Sequence, residues 1–98
     1  KHEMSEAQIN LNTANSSLDS INQEITLLEP LVRSGIEPQI NLLQLRRTAN
    51  EQEGKRDVAI STISRLKAAL IEIENRRSLL QEKFRSDALS ELLDCIHL

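Results

Sequence analysis

The sequence predicts an all-α protein: an antiparallel two-helix coiled-coil hairpin whose second helix is much longer than the first. Three observations carry this reading. Ala, Glu, Lys, Leu and Arg make up 46 of the 98 residues, close to the share expected of a coiled coil or long helix. Apolar residues recur at alternating three- and four-residue spacings through two long segments. A single break separates those segments, and it holds both prolines and one of the two glycines. The chain has one aromatic residue, Phe84. It therefore lacks the large rings, each covering about 150–250 Å², around which a compact globule is usually built. So few Gly and Pro also leave little material for the turns of an all-β fold.

Helix one is expected over about residues 3–33, with the seam Met4, Ala7, Leu11, Ala14, Leu18, Ile21, Ile25, Leu28 and Val32. The tip is expected over about 33–38. There Gly35 supplies a residue able to take the left-handed conformation that ends a helix. Pro38 suits the first turn of the next helix, where its missing N–H would have had no partner. Pro30, inside the last turns of helix one, removes a hydrogen bond and makes a kink plausible. Helix two is expected over about 38–95, with the seam Leu42, Leu45, Ala49, Gln52, Arg56, Ala59, Ile63, Leu66, Leu70, Ile73, Arg77, Leu80 and Phe84. Helices this long exceed the usual range for the surface of a globule.

A short turn between two heptad helices makes an antiparallel hairpin. If Leu28 faces Leu42, facing positions sum to 70, and the two seams stay in phase down to Met4 opposite Leu66. The middle of this seam is weak. Asn10, Asn12, Asn15, Ser16 and Ser17 lie near Gln52, Gly54 and Arg56 across it. The small residues Ala14, Ala49, Gly54 and Ala59 would allow close helix approach, and a wet, flexible stretch is the alternative. Residues 67–98 then have no partner within the chain, an excess about 45 Å long at about 1.5 Å per residue. Leu70, Ile73, Leu80, Phe84, Leu89, Leu92 and Leu93 on that excess are expected to pack on another copy or on a helix missing from this piece. The opening Lys1-His2-Glu3 reads like the interior of a longer protein, so the chain is expected to be a fragment.

Other chemistry is excluded or weak. No run of about 18 apolar residues exists to cross a membrane, and no signal-peptide pattern is present. Cys95 is the only cysteine, so no intrachain disulfide can form. The net charge of −3 gives no reason to expect nucleic acid. The charge is uneven: −4 over residues 1–30, +3 over 31–67 and −2 over 68–98. His2 and His97 stand at opposite ends, and Cys95 and His97, two apart, do not share a helical face. No nucleophile elbow, phosphate loop or zinc motif occurs, and a rod offers no concave pocket for a small-molecule substrate. No enzyme, cofactor or metal is expected. Arg46-Arg47 and Arg76-Arg77 read as solvated faces, with Glu72–Arg76 and Glu51–Lys55 in the favourable i,i+4 order.

The run from Pro30 through Leu31-Val32-Arg33-Ser34-Gly35-Ile36-Glu37 to Pro38, with Leu42-Leu43-Gln44-Leu45-Arg46-Arg47 after it, resembles the hairpin tip of HlyD-type membrane fusion proteins. Glu53-Gly54, Ala69-Leu70-Ile71-Glu72 and the stretch from Phe84 to Leu92 extend the resemblance over nearly the whole chain. It implies a periplasmic adaptor of type I protein secretion, anchored in the bacterial inner membrane by a segment absent here. Such an adaptor works with an ABC transporter, packs beside other adaptor copies, and docks its tip on a TolC-like outer-membrane channel. Many adaptors carry an Arg-x3-Leu-x6-Ser pattern at the tip. With Glu37 at the Ser place, the other two places hold Pro30 and Thr26, and none of the three matches. Leu31, Arg33, Ser34, Gly35, Ile36, Glu37 and Pro38 are the expected docking residues, because the turn would present them; Leu31 and Ile36 have the alternative role of stapling the two helices. A cytoplasmic scaffold or dimerisation coiled coil is the competing reading, since its heptads would look the same.

Overall fold

A computed structural model describes residues 2–97. It contains two helices, α1 (His2–Arg33) and α2 (Gln39–His97), and no strand among the described residues. The chain divides into two compact units between Ser64 and Arg65.

The first unit is the hairpin. α1 and the N-terminal part of α2 are joined by residues 34–38. Its core is the heptad seam. Ala7, Ala14 and Leu18 of α1 are buried with Leu42, Ala49, Ala59 and Ile63 of α2. The remaining α1 seam positions, Met4, Leu11, Ile21, Ile25, Leu28 and Val32, are half-buried, as are Leu45, Gln52 and Arg56 of α2. Two helices enclose small side chains most readily, and four of the seven buried residues are alanines, the others being Leu18, Leu42 and Ile63. Leu18 is the most enclosed of these three large side chains, at 4% exposure. Burying a leucine this completely contributes about 1.5–3 kcal/mol.

In the weak middle of the seam the alanines Ala14, Ala49 and Ala59 are buried. Gly54 is not part of it. It is exposed, and a Cβ built there would meet nothing within 4 Å. Two residues beyond the seam position Gln52, it faces solvent. Asn10, Asn12, Asn15 and Ser16 are likewise exposed, and only Ser17 is half-buried. Arg56 keeps its stem in the seam while its Nε donates to Asp57 Oδ1 at 3.3 Å, the way a long charged side chain shelters its methylenes and keeps its head wet. Among the described residues no buried side-chain nitrogen or oxygen lacks a partner.

An ion pair links the two limbs near the tip: Arg46 Nη2 to Glu29 Oε1 at 3.5 Å. Each residue directly follows a seam position, Leu45 and Leu28, so the pair flanks the apolar stripe on one side.

The second unit consists of the rest of α2. Leu66 is half-buried, and residues 67–97 are all exposed. The seam pattern continues through Leu70, Ile73, Leu80 and Phe84, but nothing covers it. Glu72 and Arg76 form the expected i,i+4 pair at 2.7 Å. Glu51 and Lys55 do not. Both are exposed, and a solvated i,i+4 pair is worth only about 0.3–0.5 kcal/mol.

Candidate functional site

The tip is held by its own backbone. Pro30 lies inside α1 and donates no hydrogen bond to the Thr26 carbonyl, yet the helix continues to Arg33. Its own carbonyl accepts twice, from Ser34 N–H at 3.0 Å and from Ser34 Oγ at 2.9 Å. Gly35 then takes φ +75°. This turns the chain so that Gly35 N–H reaches the Val32 carbonyl at 3.0 Å and Ile36 N–H the Leu31 carbonyl at 2.9 Å. Those two bonds are the Schellman motif, which satisfies carbonyls that the helix end would leave open. Glu37 N–H adds a second bond to Leu31 at 3.2 Å.

α2 begins one residue after Pro38, with Asn41 N–H donating to the Pro38 carbonyl at 3.2 Å. Asn41 Nδ2 also donates to Glu37 Oε2 at 3.3 Å. This holds the Glu37 carboxylate beside the helix N-terminus, where negative charge is favoured.

The side chains this frame displays are of two kinds. Ile36 is 70% exposed and Leu31 38% exposed. An isoleucine that open is not stapling two helices together. Arg33, Ser34, Gly35 and Pro38 are exposed, and Glu37 is half-buried. The seven residues expected at the tip thus fall together, Leu31 and Arg33 at the end of α1 and the other five in the connection. The second expected set belongs to the second unit. Leu70, Ile73, Leu80, Phe84, Leu89 and Leu92 are there, each between 55 and 72% exposed.

The surface beyond these sets shows little built chemistry. An open depression lined by Asp19, Asn22, Gln23, Thr26 and Leu27 lies along the outer side of α1. All five residues come from one helix, and Thr26 Oγ1 is turned back to the Asn22 carbonyl at 2.8 Å. Among the described residues no group of three or more His, Cys, Asp and Glu is placed to hold a metal ion. Cys95 is free and exposed. No described helix is long and apolar enough to cross a membrane.

Sequence reasoning missed the Glu29–Arg46 pair. The signal was available, since both residues sit one place after seam leucines.

A seam of small residues, a five-residue connection and a hydrogen-bonded tip define the class as a long α-helical hairpin. The chain belongs to the AprE long alpha-helical hairpin family, whose model matches residues 1–95. AprE is a membrane fusion protein of type I secretion, so the family connects this hairpin with secretion adaptors. No curated protein and no solved structure matches the chain.

Proposed function

We propose that this chain is the hairpin of a periplasmic adaptor of type I protein secretion, of the HlyD type. The adaptor links an inner-membrane ABC transporter to a TolC-like outer-membrane channel, and the hairpin has no enzymatic activity of its own. Its membrane anchor lies in a part of the protein outside this chain, and several copies act together. The observation that carries the reading is the AprE hairpin match over residues 1–95. The tip supports it: Ile36 and Arg33 are held out to solvent by a frame of backbone hydrogen bonds, so little ordering remains to be done when a partner docks.

The mechanism is geometric. A coiled-coil hairpin sets a reach, its tip meets the channel, and Leu31, Arg33, Ile36 and Glu37 supply the contact. Arg33 adds a charge of a type enriched at interfaces, and Ile36 adds an exposed apolar side chain that a partner can cover. The test places Arg33→Glu and Ile36→Ser together in the full-length adaptor and measures export of its cargo. Export is expected to fall about tenfold or more, with circular dichroism and adaptor abundance unchanged. Normal export by the double variant would remove the tip from the mechanism.

A further inference from the structure

Residues 67–97 of α2 are all exposed, and one stripe along them is symmetric. Ile73, Arg77, Leu80, Phe84, Ala88, Glu91 and Cys95 follow one another at spacings of 4, 3, 4, 4, 3 and 4. Ile73, Phe84 and Cys95 stand eleven apart, close to three whole turns, so the stripe stays on one side of the helix. The spacings read the same in both directions from Phe84, the chain's one aromatic, which is 72% exposed. The two charged members stand seven residues to either side of it and have opposite signs. Neither is satisfied within its own helix. Glu91 has Asp87, Ala88, Asp94 and Cys95 three and four places away, with no cation among them. Arg77 has only the Glu74 carboxylate within that reach, and neither Arg77 nor Glu91 forms an ion pair among the described residues.

We propose that two copies of this chain pair antiparallel through residues 73–95 of α2, centred on Phe84. Facing positions then sum to 168. Phe84 meets Phe84 of the second copy, Leu80 meets Ala88, Arg77 meets Glu91 and Ile73 meets Cys95, the last three layers each occurring twice by symmetry. The seven layers span about 33 Å at about 1.5 Å per residue. Each charged break in the stripe is closed by its opposite, so charge complementarity selects a second copy as the occupant. A parallel pairing sets Arg77 on Arg77 and Glu91 on Glu91, two like-charge layers inside the seam. The register leaves the hairpin untouched. Residue 97 of the second copy lies opposite residue 71, whereas the stripe that α1 covers ends at Leu66, and the same holds by symmetry for the second copy. Leu89, Leu93 and Ile96 lie off the stripe and take no part. The inference is independent of the proposed secretion role, because it uses only the sequence pattern and exposure of this segment.

The test uses sedimentation of the 98-residue chain. A concentration-dependent dimer is expected. Arg77→Glu and Glu91→Arg should each weaken it about tenfold or more, since each variant sets like charges face to face twice. An equimolar mixture of the two should recover a dimer within about threefold of the starting affinity, because every Glu then faces an Arg. This mixing arm also shows that each variant remains folded. Phe84→Ser should weaken the dimer about tenfold or more, whereas Leu93→Ser, on the opposite face of the helix, should leave it unchanged. Disulfides report register, since Cys95 is free and exposed. Under mild oxidation Ile73→Cys should give a dimer linked from position 73 of one copy to Cys95 of the other, identified by peptide mass spectrometry. Within one helix these two positions are about 33 Å apart at about 1.5 Å per residue and cannot bond. A monomer at every concentration up to the millimolar range, undiminished association of either charge variant, no recovery in their mixture, equal weakening by Leu93→Ser and Phe84→Ser, or links joining Cys95 to Cys95 in place of 73 to 95 would each overturn the proposal.

Discussion

The two glycines make the same substitution run in opposite directions. At neither position would an added Cβ meet an atom within 4 Å. Packing is therefore removed from the comparison, and the backbone alone decides. Gly54 lies inside α2 with a helical backbone and an exposed surface. Ala is favoured over Gly in a helix interior by about 0.8–1.0 kcal/mol, and with no neighbour to disturb, Gly54→Ala should gain nearly all of it. Gly35 sits at φ +75°, where an L-residue costs about 1–2 kcal/mol. Restricting the unfolded chain returns about 0.4–1 kcal/mol. Gly35→Ala should therefore lose about 1 kcal/mol, leaving the two variants about 2 kcal/mol apart.

The assay is urea unfolding followed by circular dichroism at 222 nm, at one fixed low chain concentration. The midpoint should rise for Gly54→Ala and fall for Gly35→Ala, with an unchanged slope. Gly35→Asn is the internal control. Asn tolerates the left-handed region better than Ala, so its loss should be smaller. If both alanine variants move the midpoint the same way, the assignment of Gly35 to the left-handed cap and of Gly54 to an ordinary helical position is wrong.

Two further outcomes test the seam and its flank. Leu18→Ala, at the most enclosed large side chain of the hairpin, should cost about 2–5 kcal/mol, whereas Leu70→Ala, on the bare stretch, should change the stability of the monomer by less than about 0.5 kcal/mol; equal effects in urea unfolding would contradict the burial pattern. Glu29→Gln should cost less than about 1 kcal/mol, because both partners of the Arg46 pair are about half exposed, and adding salt should erase most of that difference.

Much of the hairpin was legible because one physical rule generates it. A stripe of apolar residues every three or four positions has to be covered, and all nine expected seam positions of α1 are buried or half-buried. The left-handed role of Gly35 was legible for the same kind of reason, since only glycine adopts that backbone cheaply. Other features were not. Spacing alone placed Gly54 near the weak middle of the seam, but its heptad position turns it outward. The doubled acceptance at Pro30 and Leu31 depends on how Gly35 bends the chain, which no residue pattern specifies. The tip site was legible only as a location, because exposure identifies what a turn displays and says nothing of what receives it.

The fate of α2 sharpens that distinction. Its heptad pattern is continuous from Leu42 to Phe84, yet burial follows it only as far as Leu66. The residues before and after that point are alike in type. Leu42 is buried and Leu80 is exposed, though both are leucines on one stripe of one helix. What differs is the presence of a second helix. A heptad repeat therefore expresses a demand for a partner and leaves its identity open. The information that narrows identity lies in the residues that break the repeat. In the hairpin, Arg56 faces the small Ala14 in the in-phase register and finds its carboxylate next door in Asp57, so the break is satisfied locally. Arg77 has no such neighbour engaged. The same departure from the apolar pattern is closed in one unit and open in the other.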